Sequence, residues 1–166
     1  MPQYTILGLG NRLETDEALG ALVIEAFSRD ASLLAGLPSP ASVDLLDGGT
    51  VGLGLLPYLM DLDGLLVVDV INAGETPGTL VDLEGESVIR HDVVMSVHDL
   101  GASELLGALH VMEAWPKRVR VVGMEPERIE LGLELSGPVA AGLPGLLSHL
   151  VSYLETWQRE DGLAAS

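Results

Sequence analysis

The chain has 166 residues, a length that suits one domain with a core of its own. Hydrophobic residues make up 48% and charged residues 20%, a balance that excludes a disordered chain. Eight basic against 25 acidic side chains leave a formal charge of −17, which opposes a nucleic-acid partner and an anionic membrane surface, and the lack of cysteine excludes disulfides, thiolate metal sites and a cysteine nucleophile.

Residues 4–9, YTILGL, form a short apolar run with β-branched members, closed by Gly8 and Gly10, and read as a buried strand. No basic region or small-residue cleavage site marks the N-terminus, and apolar runs such as 65–68 fall far short of the ~20 residues needed to cross a bilayer. The expectation is a cytoplasmic protein. Residues 11–15 read as a loop. From Asp16 the spacing turns helical, with Leu19, Leu22, Val23, Ala26 and Phe27 on one face, and the helix is expected to end near 35–36, before Pro38 and Pro40.

A second strand is read over 42–46, closed by Asp47-Gly48-Gly49-Thr50, and a short helix over 53–60. Residues 65–71, LLVVDVI, are almost continuously hydrophobic, as in a central parallel strand covered on both faces; Asp69 interrupts them. Thr76-Pro77-Gly78 is a turn, and 79–83 an added strand at the sheet edge. Ser96-Val97-His98-Asp99 has the form of a helix N-cap with an acid in the first turn, opening a helix to about residue 112. Another strand is read over 119–122. The last helix lies within 137–157, its start disturbed by Gly142 and Pro144, and 158–166 read as a frayed tail. Strands alternating with helices predict a single α/β domain over 1–166, three layers deep, with a mostly parallel twisted sheet and helices on both faces.

In such a sheet ligands bind beyond the carboxyl ends of the strands. The first strand delivers Asn11, Asp16 and Glu17 there, the second Asp47 and Thr50, the third Asp69 and Asn72, and the loop before the next long helix Ser96, His98 and Asp99. Gly8-x-Gly10 is a weak dinucleotide signal, because Leu13 stands where the third glycine belongs and Asp16 and Glu17 open the helix. Like charges ~4 Å apart cost about 4 kcal/mol at an effective dielectric near 20, the wrong sign for a pyrophosphate and the right one for a cation. No nucleotide cofactor is expected.

Each candidate has a plainer explanation. Asp16 and Glu17 complement a helix macrodipole, Asp69 accepts hydrogen bonds from loop amides, Asp47 makes an Asx-turn before its glycines, and His98 starts a helix. His91, His110 and His149 read as surface or partly buried. Taken together, Glu17, Asp69 and His98 converge as two carboxylates and an imidazole, which repel unless a cation or proton intervenes. That donor set suits a first-row divalent ion such as zinc or nickel and leaves coordination positions open.

Gly8-Leu9-Gly10-Asn11-x-Leu13-x-x-Asp16-Glu17-x-x-Gly20, Asp47-Gly48-Gly49-Thr50, Asp69 ending a strand and Ser96-x-His98 resemble the hydrogenase maturation endopeptidases. Trp115-Pro116-Lys117, Val122-Gly123-Met124-Glu125-Pro126, Gly132 and Leu135-Ser136 extend the likeness, in order, over roughly residues 4–155. The resemblance implies a phosphorylase/hydrolase-like fold. It implies an enzyme that removes the C-terminal extension of a nickel–iron hydrogenase large-subunit precursor once nickel is in place. Glu17, Asp69 and His98 fall on the family's metal-contacting positions, with the nickel supplied by the substrate. Asp99 departs from the glutamine that many members carry after the histidine.

Neither Ser96, Thr15 nor Thr50 completes a serine-protease arrangement, so the expected chemistry is metal-assisted hydrolysis. In it Glu17, Asp69 and His98 are the catalytic and metal-contacting residues, and Asn11, Asp16, Asp47 and Thr50 bind substrate or support the site. Two other readings remain at this point. One is a peptidyl-tRNA hydrolase-like enzyme, which also opens on a strand followed by Gly-Leu-Gly-Asn but is opposed by the charge. The other is a non-catalytic, metal-sensing chaperone on the same scaffold.

Overall fold

A computed structural model describes residues 1–90 and 100–163. Among these residues the strands are β1 Tyr4–Leu9, β2 Val43–Gly49, β3 Gly64–Val70, β4 Leu80–Glu84 and β5 Val119–Met124. The α-helices are α1 Leu19–Arg29, α2 Gly85–Ile89, α3 Leu100–Val111 and α4 Gly137–Glu160. The strands form one sheet in the order β2-β1-β3-β5-β4. Its first four members in that order run parallel, and β4 is antiparallel to β5 at the edge, as expected for an added strand.

β1 and β3 are buried along their whole length, which is why both read as unbroken apolar runs. Their side chains alternate between two cores. Tyr4, Ile6, Leu66, Val68 and Val70 pack with Leu19, Val23 and Phe27 of α1 and with Leu146, Leu150 and Leu154 of α4. Leu7, Leu9, Leu65, Val67 and Ile71 pack with Leu55 and Leu59 after β2 and with Leu105, Leu106 and Leu109 of α3. Each fully buried Leu or Val contributes roughly 1.5–3 kcal/mol of hydrophobic stabilisation, so three layers are the arrangement that buries both faces.

Several boundaries differ from the sequence expectation. Residues Thr15–Ala18 form a 3-10 turn, and the α-helix itself begins at Leu19. It ends at Arg29, short of the expected 35–36, because the Asp30 carboxylate accepts the Ser32 N–H and starts a separate 3-10 turn over Ala31–Leu33. The short helix after β2 is a 3-10 helix, Gly52–Tyr58, and β2 runs on through Asp47 to Gly49. α4 continues through Pro144 from Gly137 to Glu160. The tail expected over 158–166 differs in its described part: Gln158 is fully buried, its amide donates to the Ser39 carbonyl at 2.9 Å, and the Leu163 N–H donates to the Gln158 carbonyl at 2.9 Å, while 164–166 lie outside the described residues. No helix among the described residues is long and apolar enough to cross a membrane.

The chain leaves β1 for β2 on one side and β3 leads towards β5 on the other, so the connections diverge between β1 and β3. That point, at the carboxyl ends of the strands, is where an open α/β sheet leaves a crevice.

Candidate functional site

The glycines after β1 decide how closely the next turn approaches the crevice. Gly10 has φ +120°, and a Cβ there would stand 2.0 Å from the Glu17 carbonyl oxygen. At Gly20 a Cβ would meet the Leu9 oxygen at 2.2 Å and the Val68 oxygen at 2.7 Å. The Gly-x-Gly spacing is therefore a packing seat. It lets the turn carrying Glu17 lie directly on the ends of β1 and β3.

Glu17 is buried and lines a cavity of about 430 Å³ together with Glu14, Glu104, Asn11 and Thr50. Among the described residues lining it none is basic. Carboxylates from the turn after β1 and from α3 facing one cavity favour a cation or a basic group. Asn11 is shaped by an Asx-turn, its Oδ1 accepting the Leu13 N–H at 2.9 Å.

Asp69 is fully buried near the end of β3. By strand alternation it shares the face of Leu65, Val67 and Ile71, which α3 covers, and its Oδ1 accepts the Val70 N–H at 2.8 Å. Its partner on β5 is Gly123, where a Cβ would collide with the Asp69 carbonyl oxygen. Asp69 and Asn72 are not among the residues lining the cavity. Ser96, His98 and Asp99, like His91, lie outside the described residues. α3 starts at Leu100, and Gly101 and Glu104 of its first turns line the cavity.

Asp16 points away from this cavity and is fully buried. Its carboxylate accepts the N–H groups of Glu127 at 2.8 Å, Arg128 at 3.0 Å and Ser136 at 2.8 Å, and the Ser136 hydroxyl at 2.8 Å. It thus ties both ends of the segment 127–136 to the turn bearing Glu17. Thr15 adds to the tie from a left-handed backbone, φ +47°, unusual for a β-branched residue and of order 1–3 kcal/mol in strain. Its N–H donates to Gly132 and its hydroxyl to the Arg128 carbonyl, at 3.0 and 2.9 Å.

Asp47 stands two residues before Gly49, which lines the cavity. Its Oδ1 accepts the Gly49 N–H at 3.1 Å, the Asx-turn weighed from sequence, and its Oδ2 pairs with Arg12 at 3.3 Å. Arg12 also pairs with Glu25 at 2.8 Å, and that hydrogen bond is the first cause holding its guanidinium pKa above the ordinary value. Sequence reasoning missed Arg12, Glu14 and Glu104. The signal available for Glu104 was its helical spacing from Gly101.

A second polar cluster lies away from the cavity. Asp82 of β4 accepts hydrogen bonds from Tyr153, His149 and Arg120. Burial would raise the Asp82 carboxyl, but these donors outweigh it and hold its pKa below the ordinary value. The Tyr153 hydroxyl is pushed up to about 12, by burial first and then by Asp82. His149 is partly exposed, as its sequence context suggests, while the exposed His110 stacks edge-on against Trp115.

Residues 29–153 match the family model described as HycI hydrogenase maturation protease. The chain is 34% identical over 162 residues to the hydrogenase 2 maturation protease of Escherichia coli K12, covering 96% of this chain and 93% of that protein. It is also 34% identical over 159 residues to the hydrogenase expression/formation protein HupD of Rhizobium leguminosarum bv. viciae, covering 94% of this chain and 76% of that one. The solved structure of the E. coli hydrogenase maturating endopeptidase HybD superposes with a TM-score of 0.78 at 31% identity, covering 96% of this chain and 94% of that chain.

Proposed function

The chain belongs to the hydrogenase maturation protease family, an endopeptidase family, and on that premise we propose that it removes the C-terminal extension of a nickel-loaded hydrogenase large-subunit precursor. The observation that carries this reading is the acidic cavity at the β1/β3 divergence, with Glu17 seated on the strand ends by Gly10 and Gly20. Two carboxylates and an imidazole, from Glu17, Asp69 and His98, are oxygen and nitrogen donors that fit a first-row divalent ion. The nickel is carried in by the substrate and supplies Lewis acidity to the scissile carbonyl. Glu17 at the cavity, with Asp69 near the end of β3 and His98, recognises it and so holds the scissile bond beside the cavity. A cavity carboxylate takes the proton of the attacking water and returns it to the leaving amine. Asn11 and Thr50 orient the incoming tail, Asp47 holds the turn at Gly49, and Asp16 holds the turn that carries Glu17. The protein works as one domain in the cytoplasm.

The test is incubation of the purified chain with nickel-loaded and nickel-free precursor, followed by mass. Loss of the C-terminal extension only from the loaded form is expected, and Glu17→Gln abolishes it. Undiminished processing by Glu17→Gln removes Glu17 from the mechanism. Stable association with no change in mass assigns the chain to metal-sensing chaperones instead.

A further inference from the structure

The segment tied down by Asp16 and Thr15 presents leucine side chains to water. Leu131 and Leu133 are 86% and 74% exposed, and Leu13, on the neighbouring stretch, is 57% exposed. Glu14 and Gly132 form a parallel β-bridge, with the Gly132 N–H donating to the Leu13 carbonyl at 2.9 Å and the Thr15 N–H to the Gly132 carbonyl at 3.0 Å. Leu131 and Leu133 flank Gly132 on either side of this isolated bridge. Isolated exposed leucines are ordinary, but a backbone-paired, hydrogen-bonded group of them is a rigid apolar surface.

Leu13 lies in sequence between Asn11 and Glu14, which line the cavity, and Val51 and Leu53 flank Gly52, which also lines it. Val51 and Leu53 are 65% and 52% exposed. Exposed aliphatic side chains therefore neighbour cavity-lining residues both in the turn after β1 and in the turn after β2.

We propose that Leu13, Leu131 and Leu133, with Val51 and Leu53 of the turn after β2, are the docking surface for the folded body of the precursor. The surface received there is an apolar protein patch rimmed by basic side chains, which meet Glu14 and Glu104. The proposal rests on the proposed function and goes beyond it, since it assigns recognition to residues outside the metal-contacting set. The charge selects this occupant over a second copy of the chain. A two-fold pair on this face would set the acidic cavity against its own copy, in molecules of formal charge −17. A small ligand filling the cavity would leave the leucines uncovered.

The experiment compares the wild type with a Leu131→Glu/Leu133→Glu variant, a milder Leu131→Ser/Leu133→Ser variant, and Val111→Glu as a control at an exposed position at the far end of α3. Cleavage of nickel-loaded precursor is followed for kcat and KM, and affinity is measured in a Glu17→Gln background. All variants are expected to melt as the wild type does. KM and Kd are expected to rise about tenfold or more in the glutamate variant and less in the serine variant, with kcat within about twofold and the control unchanged. Unchanged KM and Kd in both leucine variants overturn the proposal while leaving the function intact. A fall in kcat alone does the same, by moving the leucines into the chemistry. A wild type that neither binds nor cleaves the precursor overturns the function and the docking surface together. Dimers in gel filtration that the leucine variants dissolve overturn it in favour of a second copy.

Discussion

The Asp16 carboxylate receives both the backbone N–H and the hydroxyl of Ser136, 120 positions away in sequence, each at 2.8 Å. Ser136 precedes α4 as its N-cap residue but makes no side-chain cap; its hydroxyl is spent on Asp16. One buried acid thereby fixes the turn before α1, the start of α4 and the segment between them. Asp16→Ala leaves several buried donors without an acceptor, and a loss of about 3 kcal/mol is expected in urea denaturation. Trypsin cleavage after Arg128, whose N–H is one of the donors, should accelerate. Ser136→Ala removes a single hydroxyl and should cost about 1 kcal/mol.

Gly10 tests the seat beneath Glu17. An alanine there must adopt φ +120° and place its Cβ against the Glu17 carbonyl, so the turn must move. Gly10→Ala should lose at least about 2 kcal/mol of stability and most of the processing activity, because the carboxylate is displaced with the backbone. Gly36→Ala is the control: no atom lies within 4 Å of its Cβ position, and melting and activity should match the wild type.

These two sites also mark what the sequence could and could not convey. β1 and β3 are legible because each is buried along its whole length, so apolar side chains run almost without interruption, and β5 departs from this only at the partly exposed Arg120. β2 is half exposed at the sheet edge, and its pattern gave no warning that it continues through Asp47 to Gly49. The end of α1 was missed because an Asp30 side-chain hydrogen bond, not the leucines after it, stops the helix. Asp16 and Glu17 are adjacent acids at a helix start, and nothing in that pattern says that one is consumed by a loop more than a hundred residues away while the other faces a cavity. Leu131 and Leu133 read as neither core nor site, because their meaning depends on a bridge to Glu14 that no local periodicity encodes.

Arg12 bridges Glu25 and Asp47 beside the cavity, but its side chain is 49% exposed and its pairs are screened by water. Arg12→Ala should therefore change stability by less than about 1 kcal/mol. Its effect belongs beside the cavity, where the freed Asp47 adds a negative charge. Association with the proposed basic-rimmed precursor should become faster at low salt and lose the difference at high salt, as stopped-flow mixing would show.

Asp161, just after α4, predicts how the fold responds to pH. Its carboxylate accepts two hydrogen bonds from Arg118, at 2.8 and 2.9 Å, and others from Lys117 and from the Tyr4 hydroxyl at 2.6 Å. Arg118 is the first cause, acting against burial, that holds the carboxyl well below its ordinary 3.8. A depressed folded pKa gives stability that is complete above the unfolded value and is lost as pH falls below it. Asp161→Asn should be about 2 kcal/mol less stable than the wild type at neutral pH, and the gap should narrow as acid protonates the wild-type carboxylate. The Tyr4 hydroxyl has the opposite sign: burial first, then Asp161, raises its pKa above the ordinary 10.0, so its contribution is complete below pH 10 and fades as pH rises beyond it. Chemical denaturation across pH should show both arms in the wild type. Parallel acid arms in the wild type and Asp161→Asn would mean that other carboxylates dominate acid unfolding.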